Sequence, residues 1–143
     1  MKGSRVAVIL VNWNGRRHLE ACLPGLEAQT YRDFAVLVAD NGSSDGSLAW
    51  LASAWPQVRT LDLAHNLGFA AGNNHAIRAT DAAWIALLNN DTVPDPRWLE
   101  ALMTAANPGA RHPVFGAGGG VRGAWTLALR EYHRVEADPV LTP

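Results

Sequence analysis

Two apolar runs of the sequence lead directly into acidic, asparagine-rich loops. Residues 36–39 precede Asp40 and the segment NGSSD, and residues 84–88 precede Asn89, Asn90 and Asp91. In an open α/β sheet, ligands bind beyond the carboxyl ends of the strands. If both runs are parallel strands, their loops bring carboxylates and amides to one edge of the sheet. Asp40 and Asp91 are therefore the leading candidate site residues.

The hydrophobic pattern predicts strands that alternate with helices. The continuous apolar run at residues 6–11 is typical of a central parallel strand covered on both faces. Further strands are predicted at residues 35–39, 58–63 and 84–88, and apolar residues recur at helical spacing between them. Strands joined through helices need crossover connections, so the pattern favours an α/β fold with a doubly wound, mainly parallel sheet.

Several residues predict where the helices begin, bend or end. In the first helix, Pro24 and Gly25 are expected to produce a kink or a division. Ser43 and Ser44 are predicted to cap the second helix. Asp95, followed by a proline, is predicted to be the N-cap of the helix that begins near residue 96.

The sequence changes character after residue 107. Five glycines lie within residues 116–123, and residues 124–135 are compatible with a helix before a tail that contains proline. Residues 118–123 match G-x-G-x-x-G. The surrounding sequence does not predict the strand, helix and second strand that a dinucleotide site requires, so such a site is not expected.

Composition and charge exclude several classes of protein. A chain of 143 residues, 48% hydrophobic and 17% charged, suits one globular domain. The net charge of -1, without a cluster of basic residues, argues against a nucleic-acid partner. The single Cys22 is predicted to be a small buried hydrophobe. No apolar run reaches the length of a transmembrane segment, and no signal peptide is recognised, so a cytoplasmic chain is expected.

Five segments together resemble glycosyltransferase family 2. In chain order they are VAVILVNWNG, LEAQTY, VLVADNGSSDGS, NLGFAAGNNHAI and ALLNNDTVPD. Residues 5–106 are similar to the nucleotide-binding half of that family, particularly its rhamnosyltransferase-like members. The resemblance implies a GT-A fold, here incomplete at the C-terminus, with a nucleotide-sugar-binding subdomain at residues 1–107. Residues 108–143 are then a partial or disrupted acceptor-side region.

The resemblance also implies a nucleotide site. Asp40 corresponds to the residue that accepts a hydrogen bond from the pyrimidine base, and a bond from an imide N–H to a carboxylate is strong in a partly dry site. Asn12 and Asn14 are candidate contacts to the base. The alternative for residues 40–44 is a simple turn and helix cap. The candidate nucleotide-binding residues are Asn12, Asn14, Asp40, Asn66, Gly68, Asn73, Asn74 and Asn90.

Four of these residues belong to the segment that lies over the donor in the family. Gly68 permits a close backbone approach, and the helix that follows it offers N–H groups to phosphate. Asn73 stands where many family members have arginine, which leaves a neutral donor near the phosphates. Packing of the helix through its small residues is the alternative role for this segment.

The loop at residues 89–91 occupies the position of the family's metal-binding D-x-D motif, with asparagine in the first place. Mg²⁺ and Mn²⁺ take oxygen ligands and often need only one or two carboxylates, with phosphates and water completing the shell. Asp91 is the predicted metal ligand, and the ion is expected to bind together with nucleotide. The alternative is a turn in which Asp91 is merely solvated.

The resemblance leaves the catalytic base unknown, because in the family it lies in the acceptor-binding half. Glu131, Glu136 and Asp138 do not match that motif. The predicted function is inverting transfer of a sugar from a dTDP- or UDP-sugar to a polysaccharide or lipid-linked acceptor. The alternative is a catalytically incomplete fragment of a truncated or interrupted transferase that retains donor recognition. A sugar nucleotidyltransferase is less well supported, since its Gly-rich basic segment is absent. Association with the inner membrane face is compatible with a lipid-linked acceptor.

Overall fold

The computed structural model describes residues 3–105 and two short strands at 121–122 and 129–131. Within these residues the strands are β1 (Val6–Asn12), β2 (Phe34–Asp40), β3 (Arg59–Asp62), β4 (Trp84–Leu87), β5 (Val93–Pro94), β6 (Val121–Arg122) and β7 (Leu129–Glu131). The helices are α1 (Arg16–Glu27), α2 (Ser47–Ala54), α3 (Phe69–Arg78) and α4 (Trp98–Ala105). The longest described helix has 12 residues, and no described helix has the length and apolar character needed to cross a membrane.

A sheet with the strand order β3-β2-β1-β4-β7 forms the centre of the fold. β1 pairs in parallel with β2 and β4, β2 pairs in parallel with β3, and β7 is antiparallel to β4. Asn12 lies opposite Asp40 in the register of β1 and β2. The loops after these parallel strands therefore meet at one edge of the sheet, as the predicted α/β fold requires.

Helices cover both faces of the sheet because the central strand β1 is apolar from Val6 to Val11. Val6, Val8 and Leu10 of β1 pack in one cluster with buried residues of α1, α2 and α4. Ile9 points to the other face and packs in a second cluster with residues of α3. This alternation on a continuous apolar strand confirms the doubly wound arrangement.

Two predictions about helix boundaries need correction. α1 is continuous from Arg16 to Glu27 with Pro24 inside it, so the predicted division is wrong, and a kink at Pro24 stays a prediction. α2 begins at Ser47, and Ser43 and Ser44 do not cap it. Its first turn is bonded instead by Asp45, which accepts the backbone N–H of Ser47. The predicted N-cap Asp95 is confirmed, because its carboxylate accepts the backbone N–H of Arg97 just before α4.

The prediction of a helix over residues 124–135 is wrong where it can be tested. Residues 129–131 form β7, which adds an antiparallel strand to the edge of the sheet beside β4. The two residues of β6 pair with β5 in a separate small sheet. The glycines of the G-x-G-x-x-G motif, the boundary predicted at residue 107, Glu136 and Asp138 lie outside the described residues.

Candidate functional site

Asn12, the last residue of β1, joins the loops that follow three strands. Its side-chain amide donates to Asp40 Oδ1 at 2.9 Å and to Ser43 Oγ at 3.2 Å. Its side-chain oxygen accepts from Asn90 Nδ2 at 3.0 Å. Asn12 is completely buried. We call Asn12, Asp40, Ser43 and Asn90 the Asn12 junction, and it fixes the loops after β2 and β4 relative to β1.

The carboxylate of Asp40 is buried inside this junction. Oδ1 accepts bonds from Asn12 and, at 2.7 Å, from the Ser43 hydroxyl, and Oδ2 accepts the Ser43 backbone N–H at 2.9 Å. Hydrogen bonds of this kind compensate the cost of burying the charge. Asp40 has no exposed surface. A base could reach it only after residues 42–44 move, so in this structure the carboxylate orders the loop.

Asn14 is hydrogen-bonded to Ser43 and Ser44, the two residues that were expected to cap α2. Its backbone N–H donates to Ser43 Oγ at 2.8 Å, and its side-chain oxygen accepts the Ser44 backbone N–H at 2.7 Å. Asn14 adopts a left-handed conformation with φ of 49°, which its short amide tolerates. The two serines are thus bonded to the loop after β1, and Asn14 stays at the exposed rim.

Trp13 stands between the two asparagines and was not a sequence candidate. Its side chain is 56% exposed, which is unusual for so large an apolar group. A ring at this rim offers a flat surface on which a planar group could stack. The signal in the sequence was an aromatic residue just beyond an apolar strand, flanked on both sides by amides.

Gly15 allows the Asn12 junction to close. A Cβ atom at this position would lie 2.5 Å from Asn90 Nδ2 and 2.6 Å from Asn12 Oδ1, closer than real Cβ contacts come. The bond between these two asparagines therefore depends on the missing side chain.

The predicted donor-covering segment is held by Asn41, another residue that sequence reasoning missed. The buried Asn41 amide donates to the Gly68 carbonyl at 3.1 Å, and its oxygen accepts the Leu67 N–H at 3.4 Å. Asn66 Oδ1 accepts the Gly68 N–H at 3.0 Å. Asn66 and Gly68 are thus exposed at the same edge as the junction, and Gly68 has a φ of 89°.

The asparagines of α3 are placed less favourably for a ligand. The Asn73 amide is buried and donates to the Phe69 carbonyl of its own helix at 3.0 Å. Asn74 is half-buried. The first turn of α3 has no side-chain cap, so its backbone N–H groups are the donors that this end presents. The Asn73 amide therefore serves its own helix in this structure, and its predicted role as a neutral donor to phosphate stays a prediction.

Asp91 is exposed at the tip of the loop after β4. On one side Asn90 is bonded to Asn12, and on the other the buried Thr92 hydroxyl donates to the Asn89 carbonyl at 2.6 Å. The described residues contain no cluster of three His, Cys, Asp or Glu side chains that could enclose a metal. A single exposed carboxylate fits a hard cation that takes its other ligands from phosphate and water.

Asp45 connects the loop after β2 to two helices. Its Oδ2 accepts the Arg16 N–H at the start of α1 at 3.0 Å, and its Oδ1 accepts from the Ser47 N–H and hydroxyl. Partial burial raises the pKa of Asp45, but these hydrogen bonds together outweigh burial and bring the pKa below its ordinary value. The carboxylate is therefore charged at neutral pH and stabilises the N-terminus of α1.

Cys22 lies beneath the Asp91 loop and carries no chemistry. It is a free, buried thiol, as predicted. Burial raises the pKa of Cys22 to about 12, while a hydrogen bond with Thr92 lowers it and the negative charge of Asp91 raises it. A thiol with this pKa is neutral at physiological pH and is not a nucleophile.

Comparisons with known proteins identify the family of the chain. The family model for glycosyl transferase family 2 matches residues 7–136. The N-acetylglucosaminyl-diphospho-decaprenol L-rhamnosyltransferase of Mycobacterium tuberculosis is 35% identical over 121 residues, which cover 77% of this chain. The chain spans only 38% of the length of that relative.

Solved structures resemble the fold. The mannosyltransferase PcManGT from Pyrobaculum calidifontis, in complex with GDP-Man and Mn²⁺, superposes with a TM-score of 0.65 at 23% identity, over 76% of this chain and 34% of that one. S. aureus TarS in complex with UDP gives a TM-score of 0.64 at 19% identity, over 70% and 31%. At these identities the likeness concerns the fold alone, and the predicted GT-A fold is confirmed.

Proposed function

The chain belongs to glycosyl transferase family 2, and we propose that the edge around the Asn12 junction binds the nucleotide diphosphate of a sugar donor. One observation carries the proposal: a buried asparagine ties three loops into a fixed polar floor, while Trp13 and Asp91 remain exposed beside it. A few fixed polar groups next to an exposed aromatic ring are what a small-molecule site needs.

In the proposed complex the base lies at the rim formed by residues 12–14. The exposed indole of Trp13 offers a stacking surface, and Asn14 lies next to it. Asp40 does not contact the base directly in this arrangement; its hydrogen bonds hold Asn12 and Ser43 in place. Oδ2 accepts one bond among the described residues, so it retains capacity for the imide of a pyrimidine if residues 42–44 move.

The diphosphate would lie between Asp91 and the segment at residues 66–69. The uncapped N-terminus of α3 offers backbone N–H groups, and Gly68, Asn66 and Asn74 lie in the same segment. The Gly68 N–H itself is bonded to Asn66 Oδ1, so Gly68 contributes a close backbone approach and not a free donor. Asp91 would hold Mg²⁺ or Mn²⁺ jointly with the phosphates, and Asn90 would orient that loop through its bond to Asn12. Such an ion, when bound, neutralises the charge on a leaving diphosphate.

We further propose the reaction as inverting transfer of the sugar to a hydroxyl of a polysaccharide or lipid-linked acceptor. The name of the mycobacterial relative, which includes a diphospho-decaprenol and rhamnose, supports a lipid-linked acceptor. We propose a dTDP- or UDP-linked donor, and UDP is the ligand in the TarS complex. The described residues provide the donor side of this reaction. No described residue is assigned as the general base that the acceptor hydroxyl requires.

Calorimetric titration of UDP and dTDP, with and without Mn²⁺, tests the donor site. We expect Mn²⁺ to increase nucleotide affinity in the wild-type chain and Asp91→Asn to reduce that increase by about tenfold or more. Asp81→Asn is the matched control, because Asp81 is also an exposed carboxylate but precedes β4 at the opposite edge of the sheet. The proposal would be contradicted if nucleotide affinity were the same with and without Mn²⁺. It would also be contradicted if Asp91→Asn and Asp81→Asn changed the Mn²⁺ effect equally.

Turnover then separates transfer from donor recognition alone. The chain is incubated with a nucleotide-sugar that it binds and with candidate acceptors, and release of the free nucleoside diphosphate is measured. Acceptor-dependent release supports the transferase, and binding without release supports the recognition-only alternative.

A further inference from the structure

The chain that follows Asp91 runs along helix α1. Residues 91–96, which we call the strap, include β5, and they contact α1 at successive positions towards its C-terminus. Thr92 lies beside Cys22, and the Pro94 ring lies against Gly25. The Pro96 carbonyl accepts the Thr30 N–H at 2.8 Å, just past the end of the helix.

Gln29 is hydrogen-bonded to the C-terminal part of this strap. Its amide donates to the Asp95 carbonyl at 2.7 Å and to the Gly25 carbonyl at 3.0 Å. Its oxygen accepts the Leu99 backbone N–H at 2.9 Å. Gln29 is 98% buried, since only 2% of its surface is exposed. One side chain therefore joins the last turn of α1, the strap and the first turn of α4.

The close approach of strap and helix depends on Gly25. A Cβ atom there would lie 2.9 Å from Pro94 Cδ and 3.4 Å from the Pro94 carbonyl oxygen. Glycine is unfavourable inside a helix, so its presence at this contact indicates that the path of the strap is tightly defined.

Resting on the proposed role of Asp91, we propose that Gln29 is a positioning residue for the metal-binding carboxylate. Asp91 lies between Asn90, which is bonded to Asn12, and the buried Thr92, and the strap that continues from Thr92 is held at Asp95 by Gln29. Freeing one end lets an exposed loop sample many positions. A carboxylate that must meet a divalent cation and a nucleoside diphosphate together would then bind the ion less well.

Gln29→Met tests this role, because methionine keeps the length and apolar stem of the side chain but loses all three hydrogen bonds. We expect UDP affinity without metal to stay as in the wild-type chain. We expect the increase in affinity that Mn²⁺ brings to fall by about tenfold, as for other residues that orient metal ligands. Both affinities are measured by calorimetry at a temperature where urea unfolding shows the variant to be folded.

Leu51→Ala is the matched control. Leu51 is completely buried in α2 and packs in the same cluster as α1, but it makes none of the strap contacts described above. It is expected to lower stability while leaving the Mn²⁺ effect intact. If Gln29→Met and Leu51→Ala lose the Mn²⁺ effect equally, the loss results from general destabilisation, and the positioning role of Gln29 is wrong.

Gly25→Ala provides a second, independent test. Its added methyl group pushes on Pro94 without removing a hydrogen bond, and it should reduce the Mn²⁺ effect in the same selective way. If wild type and Asp91→Asn behave as proposed but Gln29→Met and Gly25→Ala keep the full Mn²⁺ effect, the positioning role is wrong. If Asp91→Asn itself has no effect, the donor-site proposal fails instead.

Discussion

Asp40 and Asp91 follow similar apolar strands, yet the fold places them in opposite environments. Asp40 is completely buried and accepts three hydrogen bonds, whereas Asp91 is exposed at the tip of its loop. Asp40 is the last residue of β2 and pairs with Asn12 in register, while Asp91 lies four residues beyond the end of β4. One carboxylate holds the Asn12 junction together, and the other is exposed to solvent.

Replacing each aspartate by alanine should give the largest contrast. Asp40→Ala leaves the buried Asn12 amide and two Ser43 donors without their acceptor, which should lower the free energy of unfolding by about 3 kcal/mol. Asp91→Ala should change it by less than about 0.5 kcal/mol, as exposed substitutions do. Urea unfolding followed by circular dichroism measures both. Equal losses would remove the distinction between a structural and a ligand-facing carboxylate.

Gly15→Ala should weaken the buried region without touching either aspartate. The added methyl group would lie 2.5 Å from Asn90 Nδ2, so it must displace the bond between Asn90 and Asn12. Overpacking of this kind costs about 2 kcal/mol. Gly3→Ala is the control, because its nearest contact would be an ordinary 3.4 Å. If the two variants unfold at the same urea concentration, the junction is not the rigid element described above.

Replacing Asp45 should give the smallest loss of stability, and that loss should depend on pH. Its pKa is lowered in the folded chain, so its contribution to stability is fully present above about pH 4, the ordinary value for aspartate, and is lost as pH falls through the lower folded pKa. Asp45→Asn should therefore be less stable than wild type at neutral pH, with the difference shrinking in acid.

Thermal unfolding at a series of pH values tests the Asp45 prediction, with Asp81→Asn as the control. Asp81 is an exposed carboxylate before β4, away from the candidate site. A stability difference for Asp45→Asn that stays constant from neutral to acid pH would show that the charge of Asp45 does not stabilise the start of α1.

The sequence predicted what depends on local pattern. The apolar runs located β1, β2 and β4, and Asp95 marked the start of α4, because each signal lies within a few residues. The partners of Ser43 and Ser44 could not be predicted in this way. Asn12 and Asn14 lie about 30 residues earlier in the chain and bond these hydroxyl and N–H groups only once β1 and β2 have paired.

The same limit applies to the candidate site. The sequence predicted that the loops after β1, β2 and β4 meet at one edge of the sheet, and they do, because these strands are parallel. It gave no sign that Asp40 would be enclosed, because its burial depends on Asn12 and on Gly15 leaving room for Asn90. Gln29 likewise gains its role from Asp95 and Leu99, at separations of 66 and 70 residues.

The proline and glycine inside α1 bear on the order in which the chain folds. In a helix interior, proline costs about 3 kcal/mol and glycine about 1 kcal/mol relative to alanine, and a 12-residue helix is already marginal in water. We therefore expect α1 to be largely unfolded on its own and to gain its last turns when the strap docks against Gly25. A partly folded chain, even with its central strands paired, would then not yet hold Asp91 in its final position. On this view the candidate site that includes Asp91 forms together with the last contacts of the domain.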